Sequence, residues 1–205
     1  MNDEIYGSAI WMIDAIRRAL KGEGSADVKA RLAVQDLSPA SVRIPVPHRL
    51  PACRHLPECV AASMFLAPDV AAALAEIDEF LHWKQNPNYS DELMGEGYMD
   101  NYAYAELIGP GGFFLGEDFL MGLMLLGPYR HYPDHHHPAP ELYWLLTGPS
   151  KWRCDNSAFT ERKAGETIWH MPMMSHATKT LDGPLLAIWA WTRDVGVPAK
   201  LLERA

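Results

Sequence analysis

The sequence predicts a mainly β protein, a small antiparallel barrel or sandwich, preceded by an α-helical segment. Three observations carry that reading. Beyond residue 90 the chain breaks into short apolar or alternating runs at 98–108, 119–126, 141–147, 167–171 and 185–192, the pattern of strands. Turn signals separate them: Gly109-Pro110-Gly111-Gly112, Gly127-Pro128, Gly148-Pro149, Lys163-Ala164-Gly165-Glu166 and Asp182-Gly183-Pro184. No helical periodicity lies between the runs, which excludes parallel βαβ units and points to a meander. Before residue 90, apolar residues instead recur at steps of three and four, the period of amphipathic helices. The chain has 205 residues, 48% of them apolar, with 7 Trp, 8 Tyr and 6 Phe, so it can bury a core and does not have a disordered composition. We divide it into a helical segment, 1–90, packing beside the barrel and contributing shape rather than chemistry, and the barrel itself, 91–205.

The first helix spans 3–21. Ile5, Ala9, Met12, Ile13, Ile16 and Leu20 form its apolar stripe, Asn2 or Asp3 caps it, Arg17, Arg18 and Lys21 suit its last turn, and Gly22 ends it. A weaker helix runs over 26–37 before Ser38-Pro39, and the proline-rich stretch 41–57 reads as a surface loop. Pro68, suited to a first helical turn, opens a clearer helix in which Val70, Ala73, Leu74, Ile77, Phe80 and Leu81 share a face, ending before Asn86-Pro87.

Lys plus Arg number 18 against 26 Asp plus Glu, a net charge of -8 with no basic cluster to offset it, which argues against nucleic acid and anionic membrane as partners. Asp3, Glu4, Asp14, Arg17 and Arg18 among the first twenty residues fit neither a secretory signal nor a membrane span. Cys53, Cys59 and Cys154 are an odd number without framework spacing, as expected where thiols stay reduced, and we expect a cytoplasmic protein. Cys53-x5-Cys59 with His55 between lacks the second ligand pair of a tetrahedral zinc site.

Six of the nine histidines lie between His131 and His176, densest in His131-Tyr132-Pro133-Asp134-His135-His136-His137-Pro138-Ala139-Pro140-Glu141-Leu142-Tyr143. In an extended chain alternate residues share a face, which groups His135, His137, Glu141 and Tyr143 and sends His136 and Leu142 the other way. His176 joins them if the following strands fold back beside the first. Neutral imidazoles with a carboxylate hold Zn, Fe, Mn, Co or Ni and leave positions open for substrate.

His135-x-His137-x3-Glu141-x6-Gly148 resembles the first cupin motif and Gly165-x6-Pro172-x3-His176 the second, with three departures: Gly127 lies two residues early for the first motif's leading glycine, and the second lacks the glycine between Pro172 and His176 and sits one residue short. The resemblance implies a cupin, a jelly-roll type of small antiparallel β-barrel. The helical front and the pattern Tyr132-x2-His135-x-His137-Pro138-Ala139-x-Glu141-x-Tyr143 with a later His176 further resemble the cupin-type dimethylsulfoniopropionate lyases, of the DddQ type. That resemblance implies one divalent transition metal (Zn, Fe or Mn) surrounded by His137, Glu141, Tyr143 and His176. Tyr132 and His135 would line the pocket, His135 within reach of both metal and substrate. The implied substrate is a small zwitterion, cleaved by β-elimination to dimethyl sulfide and acrylate.

For that chemistry Tyr143 is the candidate base and Tyr132 the second candidate, because a phenolate is favoured beside a divalent cation. Aromatic faces attract a sulfonium, and Trp189 and Trp191 share parity on a late strand; Trp169 is a third candidate. Met121, Met124, Met171, Met173 and Met174 read as packing. Two further functions suit the same ligands: another metalloenzyme, either an iron dioxygenase or a lyase on a different small acid, and a non-catalytic small-molecule-binding cupin. A homodimer is compatible with all three.

Overall fold

The computed structural model describes residues 2–202. Helix α1 (Asn2–Ala19) starts at Asn2, so its cap position lies outside the described residues, and it buries the expected stripe of Ile5, Ala9, Met12, Ile13 and Ile16, with Leu20 buried just past its end. Each fully buried Ile or Leu there contributes about 1.5–3 kcal/mol. Gly22 and Gly24 follow with φ of 96° and 73°. A Cβ on Gly24 would lie 2.2 Å from Cε3 of Trp169, so glycine is what lets this turn lie flat on the barrel. Helix α2 (Ser25–Val34) stops short of the expected residue 37.

The stretch 51–57 is not the expected loop. Pro51–His55 is a 3-10 helix that leads directly into α3 (Leu56–Ser63). Pro51 and Pro57 read as loop signals, yet each stands in the first turn of a helical segment, where the missing N–H has no partner to lose. Helix α4 (Pro68–Ile77) buries Val70, Ala73, Leu74 and Ile77, and α5 (Asp91–Met94) is a single turn capped by Ser90. No helix among the described residues is long and apolar enough to cross a membrane.

Ten strands follow: β1 (Tyr102–Ile108), β2 (Leu120–Leu126), β3 (His131–His136), β4 (Glu141–Leu145), β5 (Ser150–Cys154), β6 (Thr160–Arg162), β7 (Thr167–His170), β8 (His176–Thr180), β9 (Leu185–Trp191) and β10 (Lys200–Leu201). They form two five-stranded antiparallel sheets, ordered β1-β2-β9-β4-β7 and β10-β3-β8-β5-β6. This is a cupin barrel, and its topology replaces the expected meander. The pairs β2/β9, β3/β8, β4/β7 and β5/β6 nest inside one another, as in one long hairpin rolled up, so the chain alternates between sheets.

The first sheet is buried on both faces. Its outer side chains, among them Leu107, Leu123, Leu142, Trp144 and Ile188, share one core with the stripes of α1 and α4. Its inner side chains, Tyr102, Met124, Tyr143, Leu145 and Trp189, face the barrel interior with Tyr132 and Trp152 of the second sheet. Alternation along β4 thus sends Leu142 and Trp144 to the helices and Glu141 and Tyr143 inward.

Candidate metal centre

Four strands bring the polar interior together. His135 of β3 and His176 of β8 are directly opposed, as are Glu141 of β4 and His170 of β7. His137 stands just past β3. All five side chains are buried, with relative exposures of 3% or less. The facing expected from parity is observed: His135, His137, Glu141 and Tyr143 lie inside and His136 is half-exposed. Tyr132 has the opposite parity to His135, yet it also faces inward. The reason is a bulge: Tyr132 pairs with Thr178 and His135 with His176, so β3 spends one residue more than β8 between these pairs. The Tyr132 and His135 rings then stack, 4.1 Å apart and 9° from parallel.

Three of the histidines are oriented by the same device. Nδ1 of His135 donates to Pro133 O (2.8 Å), Nδ1 of His137 to Ala139 O (2.9 Å) and Nδ1 of His176 to Met174 O (3.0 Å). A carbonyl only accepts, so each Nδ1 carries the proton and each Nε2 presents a lone pair to the interior. The Nε2 atoms of His137 and His176 stand 3.0 and 3.1 Å from Oε2 of Glu141. In the neutral tautomer this sets lone pair against carboxylate oxygen, and Nε2 of His176 makes no hydrogen bond. A divalent cation among these atoms satisfies nitrogen and oxygen alike, so the donor set fits such an ion. Trp191 fixes the carboxylate from the other side, its Nε1 donating to Glu141 Oε1 at 2.7 Å.

Electrostatics sort the groups. Burial by itself would raise the Glu141 carboxyl, but His137, His170 and His176 outweigh it and hold the group well below the usual range. Burial and the neighbouring His176 push His135 well below an ordinary histidine, and burial first of all brings His170 down to about 4. Burial and the Glu141 charge drive the Tyr143 phenol well above 10, while burial and the surrounding tyrosines do the same to Tyr132. A phenolate at Tyr143 therefore requires a neighbouring cation.

A cavity of about 270 Å³ opens beside Glu141. Tyr102, Tyr104, Tyr132, Tyr143, Trp189 and Trp191 form its aromatic walls, and Val195, Gly196, Pro198 and Ala199, between β9 and β10, close another side. Trp189 and Trp191 thus line the pocket as their parity implies, whereas Trp169 packs outward against the helices. Met124 reaches the cavity and Met121 the core, but Met171 and Met173 are exposed rather than packed.

Several contributors escaped the sequence reading, among them Tyr102, Tyr104 and Asn86 of the cavity wall. His170 shares parity with inward-facing Ile168, a signal present in the 167–171 run but not used. Tyr89 follows a turn in the front segment, where no periodicity marks it, and its hydroxyl lies 3.0 Å from that of Tyr132. The front segment thus touches the pocket wall through Tyr89 and lines the pocket itself with Asn86, as well as shaping its surroundings.

A family model for dimethylsulfoniopropionate lyases matches residues 24–187, about four fifths of the chain. The chain belongs to the dimethylsulfoniopropionate lyase family. It is 30% identical over 107 residues to dimethylsulfoniopropionate lyase DddQ of Ruegeria pomeroyi, a match covering 52% of this chain and 53% of that one. The chain spans about half the length of the curated relatives it matches. Two solved structures of the family share its fold. A structure reported with the lyases RdDddP and RnDddQII superimposes with a TM-score of 0.78 at 21% identity, covering 99% of this chain and 100% of the other. DddQ from Ruegeria pomeroyi DSS-3 gives 0.75 at 21% identity, covering 97% and 96%.

Proposed function

We propose that this protein is a metal-dependent carbon-sulfur lyase that cleaves dimethylsulfoniopropionate by β-elimination to dimethyl sulfide and acrylate. The observation that carries the reading is the placement of Tyr143 beside a buried imidazole and carboxylate cluster at the end of an aromatic cavity. His135, His137, Glu141 and His176 would hold one divalent ion, Zn, Fe or Mn, with Tyr143 next to it. Bound there, the ion supplies Lewis acidity toward a carboxylate and favours phenolate over phenol.

Tyr143, as phenolate, takes the proton from the carbon α to the substrate carboxylate. The electron pair left behind forms the carbon-carbon double bond, the bond from the β carbon to sulfur breaks, and dimethyl sulfide leaves with that bonding pair. Tyr132, held by Tyr89 and stacked on His135, orients the substrate and stands next in reach as a base. Trp189 and Trp191 offer ring faces to the sulfonium, which a low-dielectric pocket favours over a carboxylate partner. We infer the division of labour expected from sequence, with 1–90 covering the barrel and 91–205 holding the ion, now with Tyr89 as an exception. Three free thiols support the cytoplasm as the compartment; a homodimer is compatible with the reading.

Headspace detection of dimethyl sulfide, with acrylate quantified in solution, tests the reading on purified protein given dimethylsulfoniopropionate. Equal amounts of the two products are expected, lost on chelation and restored by a divalent metal. Metal-loaded protein that releases neither product would overturn it.

A further inference from the structure

Glu106 is a second acid in the cavity wall, and the reaction described above gives it no part. It stands on β1, three strands across the first sheet from Glu141. The turn after β1 fixes its carboxylate. Gly111 N–H donates to Oε2 at 2.6 Å, and a Cβ on Gly109, where φ is 146°, would lie 2.7 Å from the same oxygen, so glycine is what lets the chain close on the acid. Lys84 meets the other oxygen, its Nζ 2.5 Å from Oε1. Anchorage alone does not call for this pair. Lys84 and Tyr104 already exchange two backbone hydrogen bonds, of 2.8 and 2.9 Å, and an ion pair withdrawn from water repays its desolvation poorly.

The two charges are not equally placed. The Glu106 side chain is 6% exposed and lines the cavity, whereas Lys84 is 27% exposed and lies over the Tyr104 ring, 5.2 Å from its centroid. Solvent screens the ammonium more than the carboxylate, so the pair presents a net negative potential to the cavity. Glu106, Gly122, Trp189 and Tyr143 are successive partners across β1, β2, β9 and β4. Gly122 puts no side chain between the carboxylate and Trp189, and a Cβ there would lie 2.0 Å from Ala105 O. With adjacent strands about 4.8 Å apart, the backbones of Glu106 and Tyr143 are about 14 Å apart, room for a small molecule between them.

We propose that Glu106 determines specificity by charge: it makes the cavity favour short carboxylates whose far end carries an onium cation over neutral carboxylates of the same shape. The inference rests on the lyase reading above and deepens it, since it names the charge that recognises the cationic end. Trp189 and Trp191 touch the onium methyls, and Glu106 acts on the cation from beyond them, through space and without an ion-pair contact. Lys84 tempers that attraction.

The test uses the full chain loaded with zinc and two acids of one shape, the trimethylammonium betaine of β-alanine and its carbon isostere, in which a tert-butyl group replaces trimethylammonium. Calorimetric dissociation constants give a ratio of preference for the cation in wild type, Glu106→Gln and Lys84→Met. Recognition by charge moves the two variants apart: the ratio is expected to fall at least about fivefold in Glu106→Gln and to hold or rise in Lys84→Met. An ion pair that merely braces the wall predicts instead that both variants change alike. An unchanged ratio in Glu106→Gln, or an equal fall in both variants, would overturn the proposal. So would wild-type protein that binds the two acids equally, a measurement that needs no variant to fold. Protein that shows the expected ratios yet releases no dimethyl sulfide from dimethylsulfoniopropionate would overturn the lyase reading and leave the role of Glu106 standing.

Discussion

Tyr143 is buried beside a carboxylate, and both circumstances oppose its ionisation. That makes it a demanding test of the mechanism. Tyr143→Phe keeps the ring and most of its packing against Trp152 while removing the proposed base. Turnover should fall by about 10² to 10⁴, with KM changed much less, in a sample whose metal content is verified. Near wild-type release of dimethyl sulfide from the metal-replete variant would move the role to Tyr132. Much of this site was legible in the sequence, because parity along an extended chain is a geometric property that needs no tertiary information: it groups His135, His137, Glu141 and Tyr143. Tyr132 joins them only through a bulge, which depends on how two strands pair and leaves no mark in either one alone. Tyr89 was illegible for a similar reason, since its place is fixed by where the front segment ends up in space.

At the scale of elements, the five runs marked from sequence contain the five strands of one sheet, β1, β2, β4, β7 and β9, and the other sheet went unseen. The first sheet lies between helices and barrel interior, so most of its positions are apolar. The second turns one face to solvent and lines the site with the other, so His131–His136, Ser150–Cys154 and His176–Thr180 carry histidine, lysine and threonine where an apolar run was sought. Beside that shared core, the turn between α1 and α2 comes close to the first sheet at Gly24. A methyl group there meets the Trp169 ring and must also adopt a positive φ. Gly24→Ala should therefore destabilise the protein by about 1–3 kcal/mol, a thermal midpoint several degrees lower. An unchanged midpoint would show that the turn can lift off the barrel freely.

For the molecule as a whole, His135 and His170 make stability depend on pH in one direction. His170 stays neutral in the fold down to about pH 4, whereas an imidazole in an unfolded chain titrates near 6.5. As pH falls the unfolded state takes up the proton first, so this contribution is fully present above about 6.5 and drains away toward 4. At pH 5 the loss from His170 alone is about 2 kcal/mol, and His135 acts in the same direction. Urea midpoints of metal-free protein between pH 8 and 5 should fall with acidification; a flat or rising trend would contradict the burial of neutral imidazoles. The nested pairing of strands has a kinetic consequence as well. His135, Glu141 and His176, the proposed ligands, sit on β3, β4 and β8, which are brought together only when distant stretches of chain have zipped. We expect those loops to be only partly closed in the transition state for folding, with the proposed ligands not yet gathered and little for an ion to grip. Added zinc should then slow the unfolding arm of a chevron plot and leave the folding arm nearly unmoved, the signature of an ion captured late and surrendered only by a rare opening of the barrel.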